Sequence, residues 1–167
     1  MRHPTLTLPL ALMLATAAQA HVTLPPGGGA AGTVYTAAFR VGHACSKEAT
    51  ATTGLTVRLP AGFTLIDAEP REHWALKSSP SEVSWTAQRP EAAVPNAEKT
   101  TFVLRGKLPD QPGLLYFKVL QRCDIGQADW AEIPAHAADK PAMPAARLEV
   151  LPSGGAAPAE AATAHAH

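Results

Sequence analysis

Leu55-Thr56-Val57-Arg58-Leu59-Pro60-Ala61-Gly62-Phe63 is the stretch whose reading decides the fold class. Residues 55–59 alternate apolar and polar without exception, the period of a strand with one buried face. Pro60-Ala61-Gly62 supplies a turn, and residues 63–68 return as the next strand. The same pattern repeats outward in both directions. Residues 33–41 alternate loosely and end in Phe39-Arg40-Val41, and further short strands are expected at 74–77, 82–86, 101–105, 114–121, 130–133 and 146–151. Residues 21–24 suit an edge strand, stopped by the breaker Pro25-Pro26-Gly27-Gly28-Gly29. No segment carries sustained helical periodicity with caps, and the Ala-rich run 135–146 is interrupted by Pro141 and Pro144. About nine short strands, with Pro or Gly near most junctions, predict an all-β sandwich without internal repeats.

Upstream of that domain, Arg2 and an apolar run from Leu8 to Ala18 have the form of a secretory signal peptide. Ala18-Gln19-Ala20 is its small-residue cleavage site, so residues 1–20 should leave and the mature chain should begin at His21. Removing 20 from 167 residues leaves 147, the size of one domain. Residues 153–167 are mostly Ala, Gly and Pro with His165 and His167 and no large apolar side chain, a disordered tail by composition. The domain proper is then 21–152. Arg2 leaves with the signal, so 13 Lys+Arg face 14 Asp+Glu, and no basic run is present. That balance argues against nucleic acid or an anionic membrane as partner. After the signal no apolar stretch is long enough to span a bilayer, so a periplasmic or secreted chain is expected.

Cys45 and Cys123 both survive processing. In an exported protein an even pair is by default a disulfide; the alternative is two thiolate ligands for a soft metal. A mature His21 would offer two nitrogens on one residue, the α-amine and the imidazole Nδ1, which close a six-membered chelate on a metal. The plain alternative is chance, since some residue must come first. The mature chain keeps one methionine, Met143, too few thioethers for a Cu(I) site. Nitrogen and carboxylate oxygen remain, a donor set that suits Cu(II). His43, near Cys45, reads as a loop-stabilising residue, while His73 and His136 read as exposed. Trp85 alternates with Val83 and reads as core; Trp130, between Asp129 and Glu132, reads either as core or as an indole shielding a cation. There is no C-x-x-C, no H-E-x-x-H and no phosphate-cradling glycine loop.

Taken in order, these pieces resemble the YcnI-like family of exported copper-binding domains. They are His21, Gly42-His43-Ala44-Cys45 with Ala49-Thr50, the run 55–62, Val83-Ser84-Trp85, and Phe102-Val103-Leu104-Arg105-Gly106. Leu115-Tyr116-Phe117, Gln121-Arg122-Cys123 and Trp130-Ala131-Glu132-Ile133-Pro134 complete the series, so the resemblance spans residues 21–152. It implies an immunoglobulin-like, cupredoxin-like β-sandwich and a Cu(II) site made by the N-terminal His, a carboxylate and a nearby Trp. His21 and Trp130 match that pattern. Where the family carries an acidic residue just before Phe102, this chain has Thr100-Thr101. Glu98, which shares strand parity with Phe102, is the expected carboxylate, and Glu132 is the second choice. The implied role is a non-enzymatic one in copper trafficking, buffering or homeostasis, with a copper transporter or a cuproenzyme-assembly factor as partner. Two other readings stay open. One is a small copper oxidase with a histidine brace, which needs a second His beside His21; the other is a plain exported structural module.

Overall fold

The computed structural model describes residues 21–136 and 138–154. The signal peptide and its cleavage site, and residues 155–167 of the tail with His165 and His167, lie outside the described residues. Strands in chain order are β1 (Gly29–Ala30), β2 (Val34–Val41), β3 (Ala51–Arg58), β4 (Thr64–Ala68), β5 (Trp74–Ser78) and β6 (Glu82–Ala87). They continue with β7 (Val94–Pro95), β8 (Thr100–Lys107), β9 (Gly113–Cys123), β10 (Gln127–Trp130) and β11 (Ala146–Leu151). The single helical element among the described residues is a 3-10 turn at Pro90–Ala92.

Two sheets result. The larger runs β1-β11-β9-β3-β6-β5, with β10 added to β9 and β7 to β3; the smaller is β2-β8-β4. Alternation explains how they face each other. Leu55 and Val57 of β3, Val83 and Trp85 of β6, and Phe117 and Val119 of β9 are wholly buried, as are Phe39 of β2 and Leu104 of β8. Aromatic rings lock the layers together edge to face: Phe39 meets Phe117 with centroids 5.4 Å apart, and Trp85 meets Phe102 of β8 at 5.5 Å. Such pairs contribute about 0.5–1.5 kcal/mol each beyond the area they bury. The result is the expected β-sandwich. Gly106 of β8 has no room for a side chain, because a Cβ there would lie 2.3 Å from Phe63 Cζ and 2.7 Å from the Thr64 carbonyl oxygen.

The strands differ from expectation in several places, among them β7, which the sequence did not suggest and which pairs with a β3 that begins at Ala51 rather than Leu55. Residues 130–133 are not a strand. The chain turns back at once after Cys123, whose N–H donates to the Gly126 carbonyl at 3.1 Å with Gly126 at φ 76°, so the return strand starts at Gln127 and ends at Trp130. The segment from His21 makes one isolated antiparallel bridge, Thr23 to Arg40, rather than a strand. Gly29, read as the end of a breaker, instead opens β1, which pairs in parallel with Val150 and Leu151.

Cys45 and Cys123 are joined, with Cα atoms 6.0 Å apart and a sequence separation of 78. The bridge ties the loop after β2 to the end of β9, so the thiolate-ligand alternative falls away. No helix among the described residues is long and apolar enough to cross a membrane.

Candidate metal centre

The segment from His21 is held against β2 by two backbone bonds, Thr23 N–H to Arg40 O at 3.2 Å and Arg40 N–H to Thr23 O at 2.8 Å. Val22, between His21 and Thr23, is buried and anchors the segment in the core. His21 is thereby fixed at the end of the sandwich, half-buried. Its ring meets Trp130 edge to face, with centroids 5.8 Å apart and planes at 72°. The structure thus brings together two residues that lie 109 positions apart by their numbers, one of them opening the described chain and one closing β10.

Trp130 is only 5% exposed, so it is both core and neighbour of His21. Its indole Nε1 donates to Gln121 Oε1 at 3.1 Å. Gln121, also buried, donates through Nε2 to the His43 carbonyl and to Thr52 Oγ1, each at 2.8 Å. All the polar atoms of that amide are therefore used, and Trp130 is fixed in rotation as well as position. His43 acts as expected within its loop, its Nδ1 donating to the Ala44 carbonyl at 2.8 Å. Gln121 was not singled out in the sequence. The available signal was its inward parity on β9, continuing the buried row Leu115, Phe117 and Val119 with a polar side chain.

Beside His21 opens a cleft of about 480 Å³, lined also by Thr23, Arg40, Gly42, Lys99 and Thr101. Its floor is regular sheet, since Arg40 pairs with Thr101 across β2 and β8. Arg71 Nη1 donates to the Thr101 carbonyl at 2.8 Å while its guanidinium lies 4.5 Å over the Phe102 ring. Burial pushes the Arg71 guanidinium below its ordinary pKa.

Neither expected carboxylate lines the cleft. Glu98 is exposed in the loop before β8; its chain neighbour Lys99 reaches the cleft, but Glu98 is not among the lining residues. Its N–H donates to the Pro95 carbonyl at 2.9 Å, closing a turn. Glu132 is exposed in the connection after Trp130, and its Oε2 accepts from the Met143 N–H at 2.9 Å. Among the described residues no three His, Cys, Asp or Glu side chains cluster closely enough to hold a metal ion. A chelate built on one residue would not need such a triad. His73 is exposed beside Glu72, with Nε2 to Oε1 at 3.0 Å, and His136 lies exposed in the connection before β11; neither lines the cleft, nor does His43.

Comparison with known proteins adds the lineage. The family described as a domain of unknown function, DUF1775, matches residues 21–82 and 73–150. The chain belongs to the DUF1775 family. These are the YcnI-like domains that the sequence resembles. No curated protein matches this DUF1775 chain in sequence. Among solved structures, a protein from Nocardia farcinica with an immunoglobulin-like fold superposes with a TM-score of 0.66 at 27% identity, over 78% of this chain and 97% of its own. The N-terminal domain of the Streptococcus gordonii adhesin Sgo0707 superposes with a TM-score of 0.51 at 7% identity, over 81% of this chain and 33% of that one, a likeness of fold alone. The DUF1775 domain described here is thus an immunoglobulin-like β-sandwich.

Proposed function

We propose that the chain is an exported Cu(II)-binding protein that carries or buffers copper and uses His21 as its anchoring chelate. The observation that carries this reading is the His21 ring packed against the buried Trp130 at the mouth of a cleft. Signal cleavage after Ala20 would convert the His21 amide nitrogen into an amine, and that amine with the imidazole would hold the ion. Trp130 would cover one side as a shield, its indole N–H being already committed to Gln121. A carboxylate would supply hard oxygen and compensate charge. Glu98, exposed and able to swing, is our candidate, with Glu132 second because its carboxylate already accepts from Met143. The disulfide favours an oxidising compartment such as the periplasm or the cell exterior. A copper transporter or a cuproenzyme-assembly factor is the partner class that fits this role. A histidine-brace oxidase would need a second histidine beside His21, and His43, His73 and His136 do not line the cleft.

Copper titration followed by paramagnetic resonance tests the reading on chains that begin at His21 and stop at residue 152, so that the tail histidines cannot contribute. One tight Cu(II) per chain is expected, lost when a residue is added ahead of His21. Unchanged stoichiometry and spectrum in the extended chain would refute it, and no affinity in either would leave the structural-module reading. Glu98→Gln should weaken binding by at least about tenfold, as for loss of a supporting group at a metal site. If Glu132→Gln does so instead, the carboxylate is Glu132.

A further inference from the structure

The cleft beside His21 has the wrong charge for a cation alone. Two of its walls are Arg40 and Lys99, and among the described residues no Asp or Glu lines it. Arg40 and Lys99 also make no ion pair with a carboxylate among the described residues, in contrast to Arg58 with Asp129 and Arg105 with Asp67 on the same domain. Register and alternation gather these groups on one face. Thr23 bridges Arg40, and Arg40 is paired with Thr101, so the three side chains share a side of the sheet. His21, two residues before Thr23, and Lys99, just ahead of β8, line the cleft next to Gly42. The opposite parity, Val22, Phe39, Val41 and Phe102, is buried in the core. A guanidinium, an ammonium and two hydroxyls therefore converge on a cleft whose volume falls within the roughly 300–1,000 Å³ of small-molecule sites.

We infer that this cleft binds a small di- or tricarboxylate. Two permanent cations match two carboxylate groups, Arg40 offers the planar fork that receives one of them through paired N–H donors, and the threonine hydroxyls can donate to the remaining oxygens. The volume exceeds what a lone acetate would fill. Where the inference touches copper it rests on the reading above. A dication held at His21 beside Arg40 and Lys99 is repelled by both, and an anion seated between them reverses the sign of that interaction. Anion and copper should then bind with positive coupling, each raising the affinity of the other by the same factor.

The test begins with metal-free chain starting at His21, titrated with succinate, citrate, acetate and inorganic phosphate while backbone amide resonances are followed. Saturable shifts centred on residues 40–42 and 99–101 are expected with succinate and citrate, weaker with acetate, and reduced by added salt. Arg40→Gln and Lys99→Gln should each weaken binding at least tenfold; both side chains are exposed, so circular dichroism should be unchanged. No saturable shift with any carboxylate, or shifts that survive in the double variant, would overturn the inference. Phosphate binding as tightly as citrate would overturn the carboxylate assignment. The two readings fail separately. Copper bound at His21 with no carboxylate bound removes this inference alone, whereas carboxylate bound to a chain that takes no copper removes only the copper reading.

Discussion

Trp130 and Gln121 should be energetically inseparable, and the size of their coupling follows from the bonds they make. Trp130→Phe deletes the indole N–H and leaves Gln121 Oε1 buried without a donor. An orphaned buried acceptor costs about 1–3 kcal/mol. The smaller ring adds a void of some tens of Å³, worth about 1 kcal/mol. Gln121→Met instead orphans the Trp130 N–H and withdraws a donor from both the His43 carbonyl and Thr52 Oγ1. We expect each single variant to lose about 2–4 kcal/mol. In the double variant neither the indole N–H nor the amide oxygen exists to be orphaned, so two desolvation penalties counted in the singles vanish together. The double variant should therefore be at least about 1 kcal/mol more stable than the sum of the singles predicts. Urea unfolding of all four chains measures this directly, provided the slopes agree. Additivity within about 0.5 kcal/mol would refute the reasoning, because it would mean that the Trp130–Gln121 bond does not govern either residue's cost.

Cys45→Ala should destabilise by about 2–5 kcal/mol, since the bridge closes 78 residues of sequence separation, and the unreduced wild-type chain should weigh about 2 Da less than its dithiol. Gly106→Ala should cost about 1–3 kcal/mol or more in urea unfolding, because the added methyl would meet the Phe63 ring and the immobile Thr64 carbonyl. The Asp124 carboxylate is held below the ordinary aspartate range, first by the Thr50 hydroxyl and then by the N–H groups of Ala51, Thr50 and Ile125. With the folded pKa below the unfolded one, its stabilisation is present above about pH 4 and is lost as pH falls through the folded value; Asp124→Asn should flatten the melting temperature over that range.

Much of the sandwich was legible because its strands obey a local rule. Leu55 and Val57 face in while Thr56 and Arg58 lie on the other face, and that parity needs no knowledge of the partner strand. Trp85 was placed correctly for the same reason. The hairpin into β10 was misjudged because Trp130 attracts a strand to itself, whereas the strand is set by the tight turn at residues 123–126 and ends there. Gln121 enters the sequence reading only within Gln121-Arg122-Cys123, since a polar residue in an inward row is conspicuous only once the row is known to be inward. What the sequence could not supply was the cleft. Arg40 and Lys99 are 59 positions apart by number, and they converge through the pairing of β2 with β8, which no local pattern encodes.

The carboxylate shows where local parity stops being a guide. Glu98 was chosen because it shares parity with Phe102, and that holds only if the extended backbone runs back through residue 98. It does not. The Glu98 N–H turns onto the Pro95 carbonyl, Asn96 N–H bonds the Thr50 carbonyl at 2.7 Å, and β8 begins only at Thr100. Parity with Phe102 would in any case have pointed Glu98 toward the core, since Phe102 is 1% exposed, whereas Lys99, of the opposite parity, is the one that lines the cleft. The residues of this segment that line the cleft, Lys99, Thr100 and Thr101, are a cation and two hydroxyls, and not an acid. If copper binds at His21, Glu98 swinging out of its turn and an anion held by Arg40 and Lys99 are two sources of compensating negative charge. The two differ in one measurable way: Arg40→Gln should raise copper affinity if Glu98 suffices, by removing a repelling charge, and lower it in the presence of citrate if the anion is needed.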